Sequence, residues 1–291
     1  MAEKRKFYGM RNDYMFHAVL QKNEEVLRNL LATLLEIDEA EIESCHIENP
    51  IELGKEIEGK ECILDVKLTL NNDKVINIEL QVYKQTHWVN RSLLYWARTY
   101  DNLKSGQDYS MLLPAYHIGI LDFTLFENHP KFMAQYQILD VEDGYLYSDK
   151  LCIKVLDLTQ LEKAKQESET NKKLLKWASI FKAETLEELE QLASGEEVFE
   201  NMVVTMKKLS EDEKIRMQCE AREDYERSLL TEYNAGKSEG IASERRNTEK
   251  ERQRAEKESQ RAEKESQRAE KESQRADALA AEVERLRALL K

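Results

Sequence analysis

The sequence predicts an α/β (α+β) protein, with a central mixed sheet flanked by helices and followed by a helical region and a long C-terminal helix. The apolar periodicity changes in the order helix, strand, strand, strand, helix, strand, and two further strands follow before residue 160. The 291 residues include only 9 Gly and 3 Pro, which favours long helices and few irregular loops. A seven-residue repeat near the end of the chain predicts the long helix.

The first zone, residues 1–160, begins with two amphipathic segments that predict helices, and Asn23 is expected to cap the second. A short strand is then expected to end near Pro50, followed by the hairpin "ILDVKLTLNNDKVINIELQ". The segment "THWVNRSLLYWARTYDNLKSG" predicts a helix that Gly106 closes. A buried strand after Pro114 and two strands joined by the turn signal "EDG" complete the predicted sheet.

Two further zones complete the predicted domain organisation. Residues 161–240 favour helix throughout and predict a helical subdomain. Residues 241–291 contain "RAEKESQ" three times, so we expect a charged heptad-repeat helix that is a candidate coiled coil. Within the repeat, one core position holds alanine and the other glutamate, and only the tip has an apolar seam. A homo-oligomer would therefore form through the tip of a largely solvated helix.

The charge and cysteine patterns exclude several function classes. The net charge is −13 at pH 7, which excludes a broadly basic nucleic-acid binder, so any phosphate contact needs a local patch or a bound metal. The four cysteines stand singly and predict buried thiols in a reducing compartment. No apolar run approaches ~18 residues, and the start of the chain lacks an apolar signal segment. We therefore expect a cytoplasmic protein with no membrane contact.

Each strand of the hairpin holds one acid, Asp65 in the first strand and Glu79 in the second. Side-chain alternation places the main apolar residues of both strands on one face and both acids on the other. A three-residue loop over residues 71–73 would set Asp65 opposite Glu79. Directly opposed carboxylates repel, and a divalent cation between them would remove that cost. The alternative is that both acids are simply solvated on an open face of the hairpin.

The helix after the hairpin has two contrasting faces. One face is an apolar stripe that is expected to pack on the sheet, and its residues are Val89, Leu93, Trp96, Tyr100 and Leu103. The opposite face is a polar stripe of Arg91, Tyr95, Arg98 and Asn102. The polar stripe is either a partner of the acids or an ordinary exposed face.

The acids and their surroundings resemble a known family. Asp65, followed one strand later by Glu79-Leu80-Gln81, resembles the PD-(D/E)XK nuclease fold, with Gln81 in the place of the usual Lys. Five segments in order resemble the PD-(D/E)XK nuclease family transposases, relatives of the recombination-promoting nucleases: "RNDYMFHAVL", "CILDVKLTL", "VINIELQVY", "NRSLLYWARTYDNLKSGQDY" and "PAYHIGILDF". The resemblance covers residues 8–125 well and implies a restriction-endonuclease-like core.

The resemblance implies a Mg²⁺-dependent DNA endonuclease, a hydrolase of phosphodiester bonds in a mobile-element or recombination setting, with Mn²⁺ as the alternative ion. Asp65 and Glu79 would bind the metal, with the Leu80 carbonyl as a third ligand. Gln81 would orient the attacking water or bond the phosphate, and Asp13 would reach the metal through water. Because glutamine brings no charge, the metal would supply more of the stabilisation than it does beside a lysine.

The resemblance also implies that Arg91, and with it Tyr95, contacts DNA phosphate, for which a guanidinium has bidentate geometry. Arg98 and Lys67 would extend a narrow cationic track on an acidic protein, so DNA affinity should be weak and salt-dependent. Two other function classes stay open. One is a catalytically inactive nuclease-fold protein that binds or regulates through its helical tail, and the other is a purely structural coiled-coil protein. The five His show no HxxxH or HExxH spacing and predict no zinc site.

Overall fold

The computed structural model describes residues 6–51, 65–167 and 169–289, which include one six-stranded mixed sheet. The strands are β1 Cys45–Ile47, β2 Val66–Leu70, β3 Lys74–Gln81, β4 Ala115–Leu121, β5 Met133–Leu139 and β6 Leu146–Asp157. Their order across the sheet is β1-β2-β3-β4-β6-β5. The central strands β3, β4 and β6 run parallel, and the outer pairings are antiparallel. The predicted central mixed sheet is confirmed.

Eight α-helices accompany the sheet in the described part of the chain: α1 Asp13–Lys22, α2 Glu24–Leu35, α3 Trp88–Tyr100, α4 Leu161–Ala164, α5 Lys172–Lys182, α6 Leu186–Ala193, α7 Glu197–Glu211 and α8 Glu213–Leu289. Asn23 caps α2 as predicted, because its side-chain oxygen accepts from the Val26 amide at 3.2 Å. The long C-terminal helix is confirmed as α8. Residues 62–64 of the predicted first hairpin strand and Leu290 of the predicted seam lie outside the described residues.

The hairpin has the predicted register. Leu70 pairs with Lys74 and Val66 pairs with Ile78 across a three-residue turn. Asn71 and Asn72 adopt φ values of 50° and 55°, the left-handed region that asparagine tolerates best among residues with a side chain. Asp65 directly precedes β2, and the same register continued by one step sets it opposite Glu79.

The sheet lies between two apolar clusters. Val66, Leu68, Ile76 and Ile78 belong to the larger cluster, which includes the buried faces of α1, α2, α5 and α7. The smaller cluster lies on the face that α3 covers and consists of Trp88, Leu121, Phe123, Leu151, Ile153 and Val155. Because side chains alternate along a strand, Glu79 faces α3 while its neighbour Ile78 faces the larger cluster.

The predicted packing of α3 on the sheet is confirmed at Trp96 and is wrong for Val89 and Leu93. Val89 and Leu93 of the apolar stripe face outward, 38% and 47% exposed, while Trp88, Ser92 and Thr99 are buried. Trp96 of the same stripe packs against the smaller cluster, and its Nε1 donates to the Ala115 carbonyl at 2.9 Å. The helix turns this way because its polar stripe supplies Arg91 to a buried Glu79. A buried carboxylate without a counter-charge costs more than two half-exposed apolar side chains.

The predicted end of α3 at Gly106 is also wrong, since the helix ends at Tyr100. The Asn102 side chain accepts from the Leu113 amide at 3.1 Å and donates to the Leu113 carbonyl at 3.2 Å. These bonds tie the chain to the segment that leads into β4, so helix geometry stops before Asn102. Gly106 instead lies in a turn after the helix, where its φ of +86° favours glycine.

The chain divides into two compact units, residues 1–227 and 228–291. Helices α4 to α7 belong to the first unit, and the described part of the second unit is the remainder of α8. The repeat residues 254–274 are exposed, as expected for a solvated helix. The domain boundaries at 160 and 240 and the coiled coil stay predictions.

The cysteines and the hydropathy of the helices complete the description of the fold. Cys152 and Cys219 are buried free thiols and Cys45 is half-buried, while Cys62 lies outside the described residues. Within the described ranges, no helix combines the length and the apolar character that crossing a membrane requires.

Candidate active site at the end of the hairpin

The two hairpin acids are buried rather than solvated. Asp65 is 8% exposed and Glu79 is 1% exposed. The sheet register sets them on neighbouring strands, and α3 covers the face on which Glu79 lies. The hypothesis that both acids lie on an open face is therefore wrong.

Burial dominates the electrostatics of Asp65. Removal from water raises the pKa of its carboxyl most, and the Glu79 carboxylate raises it further, to about 8. A hydrogen bond from Asn77 Nδ2, 3.2 Å from Asp65 Oδ2, and the Arg91 charge oppose this rise. Burial and the Glu79 charge therefore both favour the protonated form of Asp65.

Glu79 has cationic and polar neighbours, but none of them is aligned to donate a hydrogen bond to its carboxylate oxygens. Nη2 of Arg91 lies 2.9 Å from Oε1, and Nε2 of His117 lies 3.5 Å from Oε2. Neither approach is aligned as a hydrogen bond, so both Glu79 oxygens lack a hydrogen-bond partner among the described residues. Buried carboxylate oxygens in this condition are costly, and they are ligand positions that a cation could fill.

The Leu80 carbonyl is directed toward the same region. The Gln81 carbonyl accepts from the Asp122 amide at 3.0 Å, so it points toward the end of β4. Carbonyl directions alternate along a strand, which turns the Leu80 carbonyl to the β2 side of β3. The last β2 pairing is Val66 with Ile78, so Leu80 lies past the paired end of β2.

The donor set fits a hard divalent cation. Two carboxylates and a carbonyl are the oxygen ligands that Mg²⁺ takes while it keeps several waters. Among residues 6–51, 65–167 and 169–289, no group of three or more His, Cys, Asp or Glu side chains is placed to hold a metal. A cation at Asp65 and Glu79 would therefore need carbonyl and water oxygens to complete its shell.

Asp13 lies at the start of α1 and is held by Arg222 of α8. Nε of Arg222 lies 3.0 Å from both carboxylate oxygens, and its Nη2 also contacts Oδ2. Both side chains are mostly buried. The Asp13 charge contributes to the raised pKa of Asp65, which places the two acids within electrostatic reach. The water-mediated metal contact of Asp13 stays a prediction, and it would require Arg222 to share the carboxylate.

The other predicted residues differ in how close they lie to the acids. Gln81 is half-buried at the end of β3, two residues after Glu79 on the same side of the strand. The Arg91 guanidinium lies 5.0 Å from the centre of the Tyr95 ring. Arg98 is exposed about two turns farther along α3. Lys67 pairs with Glu48 at 3.0 Å. The structure thus brings Arg91 to the acids and directs Lys67 elsewhere.

Two residues that the sequence analysis did not single out complete the site. Asn77 and His117 are buried on the same face as Glu79, and Asn77 Nδ2 lies 3.2 Å from His117 Nδ1. Alternation alone places Asn77 with Glu79, which is a signal that the sequence offered. The position of His117 depends on the parallel pairing of β3 with β4.

Gly119 is opposite Glu79 in that pairing. A Cβ at this position would lie 2.3 Å from the Trp88 ring, so only glycine lets α3 approach this closely. This close approach of α3 to β4 brings Arg91, which lies one turn after Trp88, within reach of the acids.

Comparisons with known proteins give one finding. The family model of the PD-(D/E)XK nuclease family transposases matches residues 10–234. Searches of curated proteins and of solved structures give no match. The match extends beyond the sheet, through α7 and into α8, and it includes Asp13, Asp65, Glu79 and Gln81. This chain belongs to the PD-(D/E)XK nuclease family transposases, with their nuclease-related function and restriction-endonuclease-like fold.

Proposed function

We propose that this protein is a divalent-metal-dependent DNA endonuclease that hydrolyses phosphodiester bonds in a mobile-element or recombination setting. The observation that carries the proposal is the buried pair Asp65 and Glu79, in which both Glu79 oxygens lack hydrogen-bond partners among the described residues. Such a pair is unfavourable by itself, and a cation between the acids supplies the reason for it.

Each residue of the site would have a separate role in hydrolysis. Asp65, Glu79 and the Leu80 carbonyl would hold Mg²⁺, or Mn²⁺ as the alternative ion. When bound, the ion supplies an activated water and offsets charge on the phosphate. Gln81 would orient that water by hydrogen bonding. Arg91 balances Glu79 in the metal-free site and is a bidentate donor suited to a phosphate oxygen.

DNA would be held by few cations. Arg91 and Arg98 project from one helix, and Tyr95 lies against the Arg91 guanidinium. Since the whole chain carries a net charge of −13, we expect a weak and strongly salt-dependent complex. Lys67 would join the track only by leaving Glu48.

The alternative function is a catalytically inactive nuclease-fold protein that binds or regulates through its tail. The observation in its favour is the long helix of residues 228–289, which is exposed from residue 228 to residue 283 and whose Leu279 and Val283 suit a contact with a second copy. The free cysteines suit a reducing, cytoplasmic setting for either function.

Cleavage of a supercoiled plasmid decides between the two functions. The endonuclease proposal expects nicked or linear product with Mg²⁺, none with EDTA, and none from Asp65→Asn or Glu79→Gln. Glu142→Gln is the matched control, because it removes an exposed acid from the β5–β6 turn. If Asp65→Asn cleaves as fast as the unaltered protein, the endonuclease proposal fails. A chain ending at residue 240 should keep cleavage and change only its assembly.

A further inference from the structure

A buried polar pair connects the two acids through strands β3 and β4. Parallel pairing sets Asn77 opposite His117 and Glu79 opposite Gly119. His117 is fully buried and Asn77 is nearly so. Buried polar side chains are costly unless they form hydrogen bonds. The hydrogen bonds of Asn77 and His117 therefore indicate what the pair does beneath α3.

The Asn77 amide determines the direction of these bonds. Its Nδ2 lies 3.2 Å from Asp65 Oδ2 and 3.2 Å from His117 Nδ1. An amide nitrogen has two hydrogens, which is one for each of these neighbours. Asp65 is ionised when it binds a cation, and in that form the opposite orientation of the amide would set its oxygen against a carboxylate oxygen. His117 Nδ1 is therefore an acceptor, and the neutral ring carries its proton on Nε2.

The protonated His117 nitrogen is directed at the second acid. Nε2 lies 3.5 Å from Glu79 Oε2, which is too long for a hydrogen bond, and a small shift of the carboxylate would close the gap. The ring is held between Trp88 and Tyr95, with centroid distances of 5.8 Å and 6.3 Å. Both aromatic residues belong to α3, the helix that carries Arg91.

We propose that Asn77 and His117 are positioning residues that orient the Asp65 and Glu79 carboxylates toward a shared cation. This inference rests on the proposed function. The four side chains form one row, Asp65–Asn77–His117–Glu79, in which Asn77 bonds both of its neighbours and a 3.5 Å gap separates His117 from Glu79. Groups that orient metal ligands in this way typically change metal affinity or activity by about 10–100-fold when removed.

The test measures Mn²⁺ binding by electron paramagnetic resonance on the full chain. We expect Asn77→Leu and His117→Phe, which keep the approximate shape and remove the bonds, to weaken Mn²⁺ binding by about 10–100-fold. His117→Gln, whose amide nitrogen can replace Nε2, should recover part of the loss. Asn29→Leu is the matched control, because Asn29 is a buried amide that bonds Trp177 and Glu39 outside the site. It should lower stability and leave Mn²⁺ affinity unchanged.

A second readout separates positioning from a structural role. Long-range ¹H–¹⁵N spectra of the folded protein should show His117 protonated at Nε2 and unprotonated at Nδ1, with the Nε2 signal shifting on addition of Mg²⁺. Equal Mn²⁺ affinity in the unaltered protein, Asn77→Leu and His117→Phe would overturn the inference, and so would the opposite tautomer of His117. An unaltered protein that binds no Mn²⁺, or one in which Asp65→Asn binds equally well, would instead overturn the proposed function and this inference with it.

Discussion

Asp65→Asn is expected to stabilise the metal-free protein, although it removes a candidate metal ligand. The asparagine keeps the shape of the side chain and removes an ionisable group from a site that is 8% exposed. In the folded protein the pKa of Asp65 is raised from 3.8 to about 8 by burial and by Glu79. Above pH 4 the unfolded chain has lost this proton, while the folded chain keeps it until the pH passes through the folded pKa.

The sign follows from proton binding. Where the folded state binds more protons than the unfolded state, the free energy of unfolding falls as the pH rises, by at most about 1.4 kcal/mol per pH unit for one proton. Water entry and relaxation of the site reduce that limit, so we expect Asp65→Asn to gain about 1–4 kcal/mol at pH 8, similar to the gain when apolar residues replace a buried ion pair. The gain should shrink toward pH 5.

Urea unfolding in EDTA at pH 5, 6.5 and 8, followed by tryptophan fluorescence, measures this gain. Glu226 also has a raised pKa, so the quantity to compare is the difference between the two proteins at each pH. Asp149→Asn, an exposed strand acid, is the control and should show no such trend. Added Mg²⁺ should stabilise the unaltered protein and leave Asp65→Asn unchanged. If Asp65→Asn is less stable than the unaltered protein at pH 8 in EDTA, burial of the Asp65 charge does not destabilise the metal-free protein.

Three further predictions concern the site. Gly119→Ala should lower the free energy of unfolding by about 1–3 kcal/mol, because its Cβ would meet the buried Trp88 ring. Gly236→Ala is the control, since a Cβ at that position on α8 meets open space, and it should not lower the free energy of unfolding. Equal stability of both variants and the unaltered protein in urea would contradict the close packing of Gly119 on Trp88. Arg91→Met and Arg98→Met should each reduce the slope of log affinity against log salt by about 0.9 on a labelled duplex. Only Arg91→Met should also destabilise the metal-free protein, because Glu79 loses its counter-charge. If the salt slope is unchanged in both variants, neither arginine contacts DNA. Gln81→Lys should raise cleavage at limiting Mg²⁺, and a rate no higher than that of the unaltered protein would show that Gln81 is not in the lysine position.

Local rules were sufficient to predict the hairpin and its acids. The apolar faces of the two strands match only if the residue numbers of each cross-strand pair add up to an even number, which requires a loop with an odd number of residues. The segment "NND" supplies the asparagines that a left-handed three-residue loop needs. The same periodicity predicted the order of helices and strands, because each buried strand and amphipathic helix has its own apolar pattern. These features depend on neighbours within about twenty residues of one another.

The orientation of α3 could not be predicted from its own sequence. Its apolar stripe is the better candidate for burial when the helix is considered alone, and the buried Glu79 reverses that preference for Val89 and Leu93 by drawing in Arg91. Likewise, Arg222 meets Asp13 across 209 residues, and His117 meets Asn77 only through strand pairing. These contacts depend on tertiary packing, which local periodicity does not encode.

Binding of one divalent cation by both Asp65 and Glu79 can be tested directly by iron-dependent cleavage of the protein chain. Replacing Mg²⁺ by Fe²⁺ and adding ascorbate and peroxide generates radicals at the metal, which break the nearest backbone. We expect chain breaks beside Asp65 and beside Glu79-Leu80 that excess Mg²⁺ suppresses and that are absent in Asp65→Asn. Breaks confined to other parts of the chain, or breaks that persist in Asp65→Asn, would contradict it.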